Sequence, residues 1–388
     1  MIKEDTDLKK VGILTLSHTD NKNYGAMLQS FALYSMVQNL GCIPYIINWE
    51  FHQKMTLSYK DITSQLKSQY LYLCFRRFLG VKLGSIIQKI SSIIGEKSFK
   101  LFSDQFLPNK TFKVTRENIA DLNNDIETFI VGSDQVWRAT SPDLYAFFLD
   151  FVNDSCRKIS YAASFGIDQW NEATDKVTDE VSKLIKRFDY ISVRELSGVE
   201  ICDSIFDVHA HFVLDPTLML SVNQYRPIFE SESDDDLRDN DYIACMILDS
   251  KSSESICRSL NEKLSLPAIS IRGKDITILS LTFIRYNTIA RWLNYIRHAQ
   301  FVVTDSYHCV IFSILFKKKF AVIAHKKRGI ARLESLLNLL NLKDRLFKDE
   351  EAFMNSNIWN QEIDFNRVEN ILEMERQKSL DFITNSLK

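Results

Sequence analysis

The sequence predicts an α/β protein whose two domains face each other across a cleft. Three observations carry that reading. Short apolar runs such as Val11–Leu16, Thr128–Gly132 and Phe301–Thr304 recur along the chain, without the alternation of a half-exposed strand. Amphipathic stretches of helical length separate many of them, the βαβ rhythm that parallel strands require. The rhythm also persists through 388 residues, more chain than one core of ordinary size organises.

Taken in order, Val11–Leu16 reads as a buried strand, SHTDNKNYG as a loop, Ala26–Leu40 as a helix ended by Gly41, and Ile43–Asn48 as the next strand. Thr128–Gly132, Lys158–Ser164 and Tyr190–Val193 follow as strands, each ending in small or polar residues. A domain boundary is expected near residue 207, giving a first domain of 1–207 and a second of 208–388. In the second, Phe212–Leu214, Tyr242–Leu248, Ala268–Ile271, Phe301–Thr304 and Phe320–Ile323 read as strands. Ser252–Leu264, Ile289–His298 and His308–Phe316 read as helices between them. The tail from Lys343 onward reads as mostly helical and free to pack back across the boundary.

Two segments break the rhythm. Residues 54–100 hold nine Lys/Arg and two acidic residues, interleaved with apolar ones. This is a basic helical insertion that packs on the first domain or makes peripheral contact with a membrane surface. The stretch ESESDDDLRDND (230–241) reads as an exposed acidic loop, because its carboxylates are bunched without the spacing of cation ligands.

Composition excludes several classes. With 48 Lys+Arg against 50 Asp+Glu, the chain lacks the basic excess of a nucleic-acid binder, and no nucleic-acid partner is expected. Seven scattered cysteines (42, 74, 156, 202, 245, 257 and 309), none in CxxC spacing, read as reduced thiols rather than a disulfide framework or zinc site. No metal is expected. The polar start and the absence of an 18-residue apolar run point to a cytoplasmic protein without a membrane span.

Four constellations lie where strands end, the position at which parallel sheets collect ligands. The loop through Asn23, Tyr24 and Gly25 opens a helix whose first N–H groups suit anions or hydroxyl oxygens. Ser133, Asp134 and Gln135, followed by Trp137, combine groups that recognise sugars with a flat apolar face, although a capped helix start reads equally well. Arg194 offers a planar fork for phosphate or carboxylate, or a local ion pair with Glu195. His308 can give and take a proton near neutrality, with Asp305 available to orient it. Neither a GxGxxG fingerprint nor a GxSxG elbow is present.

Together these strings resemble the polysaccharide pyruvyl transferase family: VGILTLSHTDNKNYGAMLQSFAL, FIVGSDQVWR, KISYAASFG, YISVRE, FVLDPTLML, and FVVTDSYHCVIFSILFKKKF with its downstream GIARLESLLNLL. The match runs in order from about residue 11 to 345. The resemblance implies two Rossmann-like domains in a GT-B-like arrangement. It implies transfer of the carboxyethylidene unit of phosphoenolpyruvate to two hydroxyls of one sugar, with release of phosphate. Phosphoenolpyruvate is then a co-substrate, and no further cofactor is implied.

By the same resemblance His308 transfers the proton, and Arg194 contacts the donor's anionic groups. Ser306, Lys327, Arg328 and Arg332 fall on the donor side, in the second domain. Asn23, Tyr24, Gly25, Ser133, Asp134 and Gln135 face the acceptor from the first. The chain departs from the family in two places. Tyr307-His308-Cys309 stands where Phe-His-Gly is frequent, and Ser306 stands where some members carry Arg. The acceptor implied is a hexose or N-acetylhexosamine of a bacterial surface polysaccharide, free or carried on a polyprenyl diphosphate at the cytoplasmic face of the inner membrane. The competing readings are a GT-B glycosyltransferase that uses a nucleotide sugar and a non-catalytic carbohydrate-binding protein.

Overall fold

The computed structural model describes residues 8–388 apart from 18, 20–21, 51–96, 238, 240, 249, 265, 279–280 and 325–329. Two parallel sheets form the frame. In the first, β1 (Lys10–Leu14), β2 (Ile43–Ile46), β3 (Thr128–Val131) and β4 (Arg157–Ser160) lie in the order β2-β1-β3-β4. The short parallel pair β5 (Ser192–Val193) and β6 (His211–Phe212) extends it through bridges from Ile159 to Tyr190 and from Ala163 to Val193. The chain then forms β7 (Ile243–Met246) and β8 (Ala268–Ser270). An antiparallel hairpin, β9 (Gly273–Ile278) and β10 (Leu281–Tyr286), stands apart from both sheets. β11 (Phe301–Thr304), β12 (Lys319–Ile323) and β13 (Leu346–Phe347) complete the second sheet in the order β13-β12-β11-β7-β8.

The ten strands of the sequence analysis are present, β11 with its expected bounds and the others shifted or shortened at an end, while β13 is additional. β3, β7 and β11 are buried at all four positions, as expected of strands covered on both faces. Near the expected boundary the chain forms one more short strand before it crosses. β6 keeps residues 211 and 212 paired with β5 in the first sheet, so the chain crosses at Val213–Pro216. The hairpin β9–β10 was not foreseen.

Both sheets reverse their winding at one place. β2 and β3 flank β1 on opposite sides, and β8 and β11 flank β7 in the same way. Each reversal opens a crevice beyond the strand ends, the natural ligand position in such sheets. Side-chain bonds close each crevice at its base. In the first, Thr15 donates to the Ser133 carbonyl at 3.1 Å and Gln29 bonds both partners. In the second, Asp305 accepts from the Leu248 N–H at 2.9 Å.

The helix Tyr24–Asn39 packs between the two halves. Asn23 caps it by accepting from the Ala26 N–H at 3.2 Å. Gly41, at φ +79°, takes the left-handed turn that ends it. Twelve of its sixteen residues are buried, so it is covered on nearly every face rather than along one stripe. Tyr24 lies flat against Trp292 of the helix Ile289–His298, with ring centroids 5.0 Å apart. Its hydroxyl sits 2.7 Å from the Arg272 carbonyl and 3.0 Å from that of Asn287.

The last helix, Phe365–Leu387, crosses back to the first domain. Ser379 accepts from the Leu214 N–H, the Ser386 carbonyl accepts from Arg157, and Phe382 packs against Tyr161, Tyr190 and His211. One apolar cluster consequently contains Val11, Ile13 and Ile130 of the first sheet together with Val302 and Phe320 of the second.

The basic insertion lies outside the described residues except at its end. There residues 97–106 are helical, and Phe99 packs 5.2 Å from the Tyr24 ring. The acidic loop is tied down by the helix Ile289–His298: Asp236 pairs with Arg291, and Asp234 with Arg297 and His298. No described helix is long and apolar enough to cross a membrane.

Candidate active site

A cavity of about 380 Å³ lies where the two crevices meet. The first domain contributes Asn23, Tyr24, Gly25, Asp134 and Gln135 to its wall, and the second contributes Asp305, Ser306, Tyr307, His308 and Arg332. Most of the residues singled out from sequence are thus brought to one place from distant parts of the chain.

His308 stands in the first turn of the helix Tyr307–Leu315, all nine of whose residues are buried. Its ring reaches across to the start of the helix Tyr24–Asn39. A Cβ on Gly25 would fall 2.0 Å from Nδ1, so only glycine lets the two helix starts approach this closely. On its other side, Nε2 is shut away from solvent without a hydrogen-bond partner among the described residues, 3.7 Å from Asp215 Oδ2. That separation is an ion-pair distance, too long for a direct hydrogen bond.

Behind His308 runs a sealed chain of charges. Arg194 Nη1 donates to Asp215 Oδ2 at 2.7 Å and Nη2 to Asp134 Oδ1 at 2.8 Å, with the guanidinium lying over the Tyr307 ring. The Arg194 and Asp215 side chains are fully buried. Burial alone would raise the carboxyl pKa values of Asp134 and Asp215, but the charges of Arg194 and His308 outweigh it and hold both below the usual range. Asp215 also accepts from the Thr217 N–H and hydroxyl and from the Ser133 hydroxyl. Asp134 adopts φ +71°, a left-handed conformation unfavourable for a side-chain-bearing residue, which the bond to Arg194 helps to hold. Neighbouring Glu195 is buried too, and there desolvation pushes its pKa up.

These positions change several expected contacts. Arg194 does not face the cavity: its fork is filled by two carboxylates, so it cannot also clasp a donor anion. Ser133 is fully buried, its hydroxyl spent on Asp215. Tyr24 lends the cavity its ring, not its hydroxyl, and the Asn23 side-chain oxygen is occupied in capping. Asp305 is held by the Leu248 N–H, and the carboxylate nearest the inner nitrogen of His308 is Asp215. Ser306 stands at the N-cap position of the helix Tyr307–Leu315, at the cavity edge, without a side-chain capping bond. Lys327 and Arg328 fall outside the described residues.

Arg332, unlike Arg194, lines the cavity. With the Gln135 amide turned so that its oxygen faces the guanidinium, Arg332 donates to that oxygen at 2.9 and 3.2 Å across the cleft. Its Nε has no partner among the described residues. Burial and the nearby Arg194 charge depress its pKa, which an added anion would relieve. Lys22, Arg138 and Arg272 add positive charge around the same cavity. Among the described residues no group of three or more His, Cys, Asp or Glu side chains is arranged to hold a metal.

The family model for polysaccharide pyruvyl transferase matches residues 23–327, a span that holds most of the cavity's lining residues and ends before Arg332. The chain belongs to that family. No curated protein matches this transferase. Among solved structures, Arabidopsis thaliana UGT89C1 is 9% identical and superposes with a TM-score of 0.52, covering 98% of this chain and 99% of that one. A S. aureus MnaA–UDP co-structure is 10% identical with a TM-score of 0.48, over 89% of this chain and 86% of that one. The two parallel sheets and the likeness to UGT89C1 give the transferase a GT-B-like fold of two Rossmann-like domains.

Sequence reading singled out no role for Asp215, although its string FVLDPTLML helped to carry the resemblance. The available signal was an Asp-Pro pair directly after a strand, which reads first as a helix start. Arg272 and Tyr286, at the edges of the unforeseen hairpin, also line the cavity of the transferase.

Proposed function

We propose that the protein transfers the carboxyethylidene unit of phosphoenolpyruvate to two hydroxyls of a hexose or N-acetylhexosamine in a bacterial surface polysaccharide repeat. One observation carries this reading within the family. The cavity joins a buried histidine, an incompletely partnered guanidinium and the N-terminus of the helix Tyr307–Leu315. Those are the groups needed to move a proton beside an anion.

The chemistry follows from the donor. His308 delivers a proton to the methylene carbon, which becomes a methyl group, and C2 turns oxocarbenium-like. One sugar hydroxyl adds to C2 and returns its proton to the imidazole. The C2–O bond to phosphate breaks, the second hydroxyl adds, and its proton leaves with the phosphate. Arg332 and the helix N-terminus hold the donor's anionic groups and stabilise the charge that develops on the leaving phosphate. Arg194 acts at one remove, by fixing Asp134 and Asp215.

Phosphate release from phosphoenolpyruvate, measured across a panel of free and polyprenyl-diphosphate-linked hexoses, tests the reading. Acceptor-dependent release is expected, abolished in His308→Ala while phosphoenolpyruvate binding by calorimetry persists, because proton transfer contributes at the transition state. Binding of a nucleotide sugar with no response to phosphoenolpyruvate would instead identify a glycosyltransferase.

A further inference from the structure

We infer that Asp215 is a positioning residue for His308. Its carboxylate keeps the neutral ring's proton on Nε2 and leaves Nδ1, beside Gly25, as the nitrogen that exchanges a proton with the cavity. The inference rests on the reading of His308 as the proton-transfer group.

The two ring nitrogens have unequal surroundings. Nε2 is sealed from solvent, lacks a hydrogen-bond partner among the described residues and lies 3.7 Å from Asp215 Oδ2. A substrate in the cavity cannot reach it. Nδ1 points to Gly25, which itself lines the cavity, and is the remaining atom for exchange. A negative charge next to one nitrogen favours the tautomer with the proton there.

Asp215 is well held for this task. Thr217 donates twice to Oδ1, and Arg194 and Ser133 donate to Oδ2. The carboxylate therefore cannot swing to follow the ring, and the ring must adapt to it. At 3.7 Å the contact is long, and a small ring movement brings Nε2 within hydrogen-bond distance of the carboxylate. Asp305, the neighbour three positions before His308, is pinned instead to the Leu248 N–H.

The test is a two-bond proton–nitrogen NMR spectrum of protein labelled with 15N-histidine, recorded above the pH at which the ring loses its charge. His308 is identified by the signal lost in His308→Gln. The wild type is expected to show the Nε2–H tautomer. In Asp215→Asn the tautomers should mix, and kcat should fall about a hundredfold while the KM for phosphoenolpyruvate stays within about threefold. A wild-type spectrum showing the Nδ1–H tautomer overturns the assignment, as does a folded Asp215→Asn protein with wild-type kcat. If that variant does not fold, the wild-type spectrum alone decides. If the wild type releases no phosphate with any acceptor, the proposed reaction fails, while the spectrum still reports which nitrogen carries the proton.

Discussion

Two clusters of arginine and aspartate pin loops in this molecule, one sealed behind the cavity and the other spread over the second domain's surface. In the first, Arg194 joins Asp134 and Asp215, and all three side chains are at most 5% exposed. In the second, Arg291 and Arg297 hold Asp236 and Asp234, and the Asp236 side chain is 68% exposed. The pairings are chemically alike, and the environment separates their consequences. Water can replace a lost partner on the surface, where such pairs contribute little. Behind the cavity nothing replaces it, and an orphaned charge must stay buried.

The comparison breaks most readily at Arg194. Arg194→Met should lower the unfolding free energy by about 3–5 kcal/mol in urea titration, since it strands two carboxylates. Wild-type stability in that variant would remove the distinction between the clusters. Next comes Gly25→Ala, whose added carbon must displace the His308 ring. It should reduce kcat about a hundredfold, as misplacement of a reacting group by an ångström does, with little change in melting temperature.

Acid sharpens the comparison further. Asp134 and Asp215 have folded pKa values below the unfolded value of about 3.9. The stability they contribute is complete above about pH 4 and is lost as pH falls through their folded values. Melting temperature should drop below that pH, and Asp134→Asn should flatten the slope. The smallest effect belongs to the surface: Arg291→Ala should leave the urea midpoint unchanged within error.

Much of the frame was legible because buried parallel strands leave compact apolar runs. The helix Ile289–His298 matches from end to end the span read from the sequence. The loops at strand ends, with His308 among them, were legible for the same topological reason. What stayed hidden depends on partners across the cleft. Nothing near Arg194 in sequence signals that Asp134 and Asp215, sixty positions before and twenty-one after, fill its fork. Tyr24 reads as a sugar-facing residue until Arg272 and Asn287 are seen to take its hydroxyl. Gly25 reads as a permissive turn, whereas its missing side chain makes room for an imidazole.

The apolar cluster that runs from Val11 to Val302 has a calorimetric consequence. Proteins of two domains commonly depart from a single two-state transition, one domain outlasting the other. Here neither sheet can come apart without exposing the helix Tyr24–Asn39, and the helix Phe365–Leu387 binds residues of the first domain from the end of the second. A scan should therefore give one endotherm whose van't Hoff and calorimetric enthalpies agree. A donor analogue seated in the cavity should move that whole peak upward rather than split it.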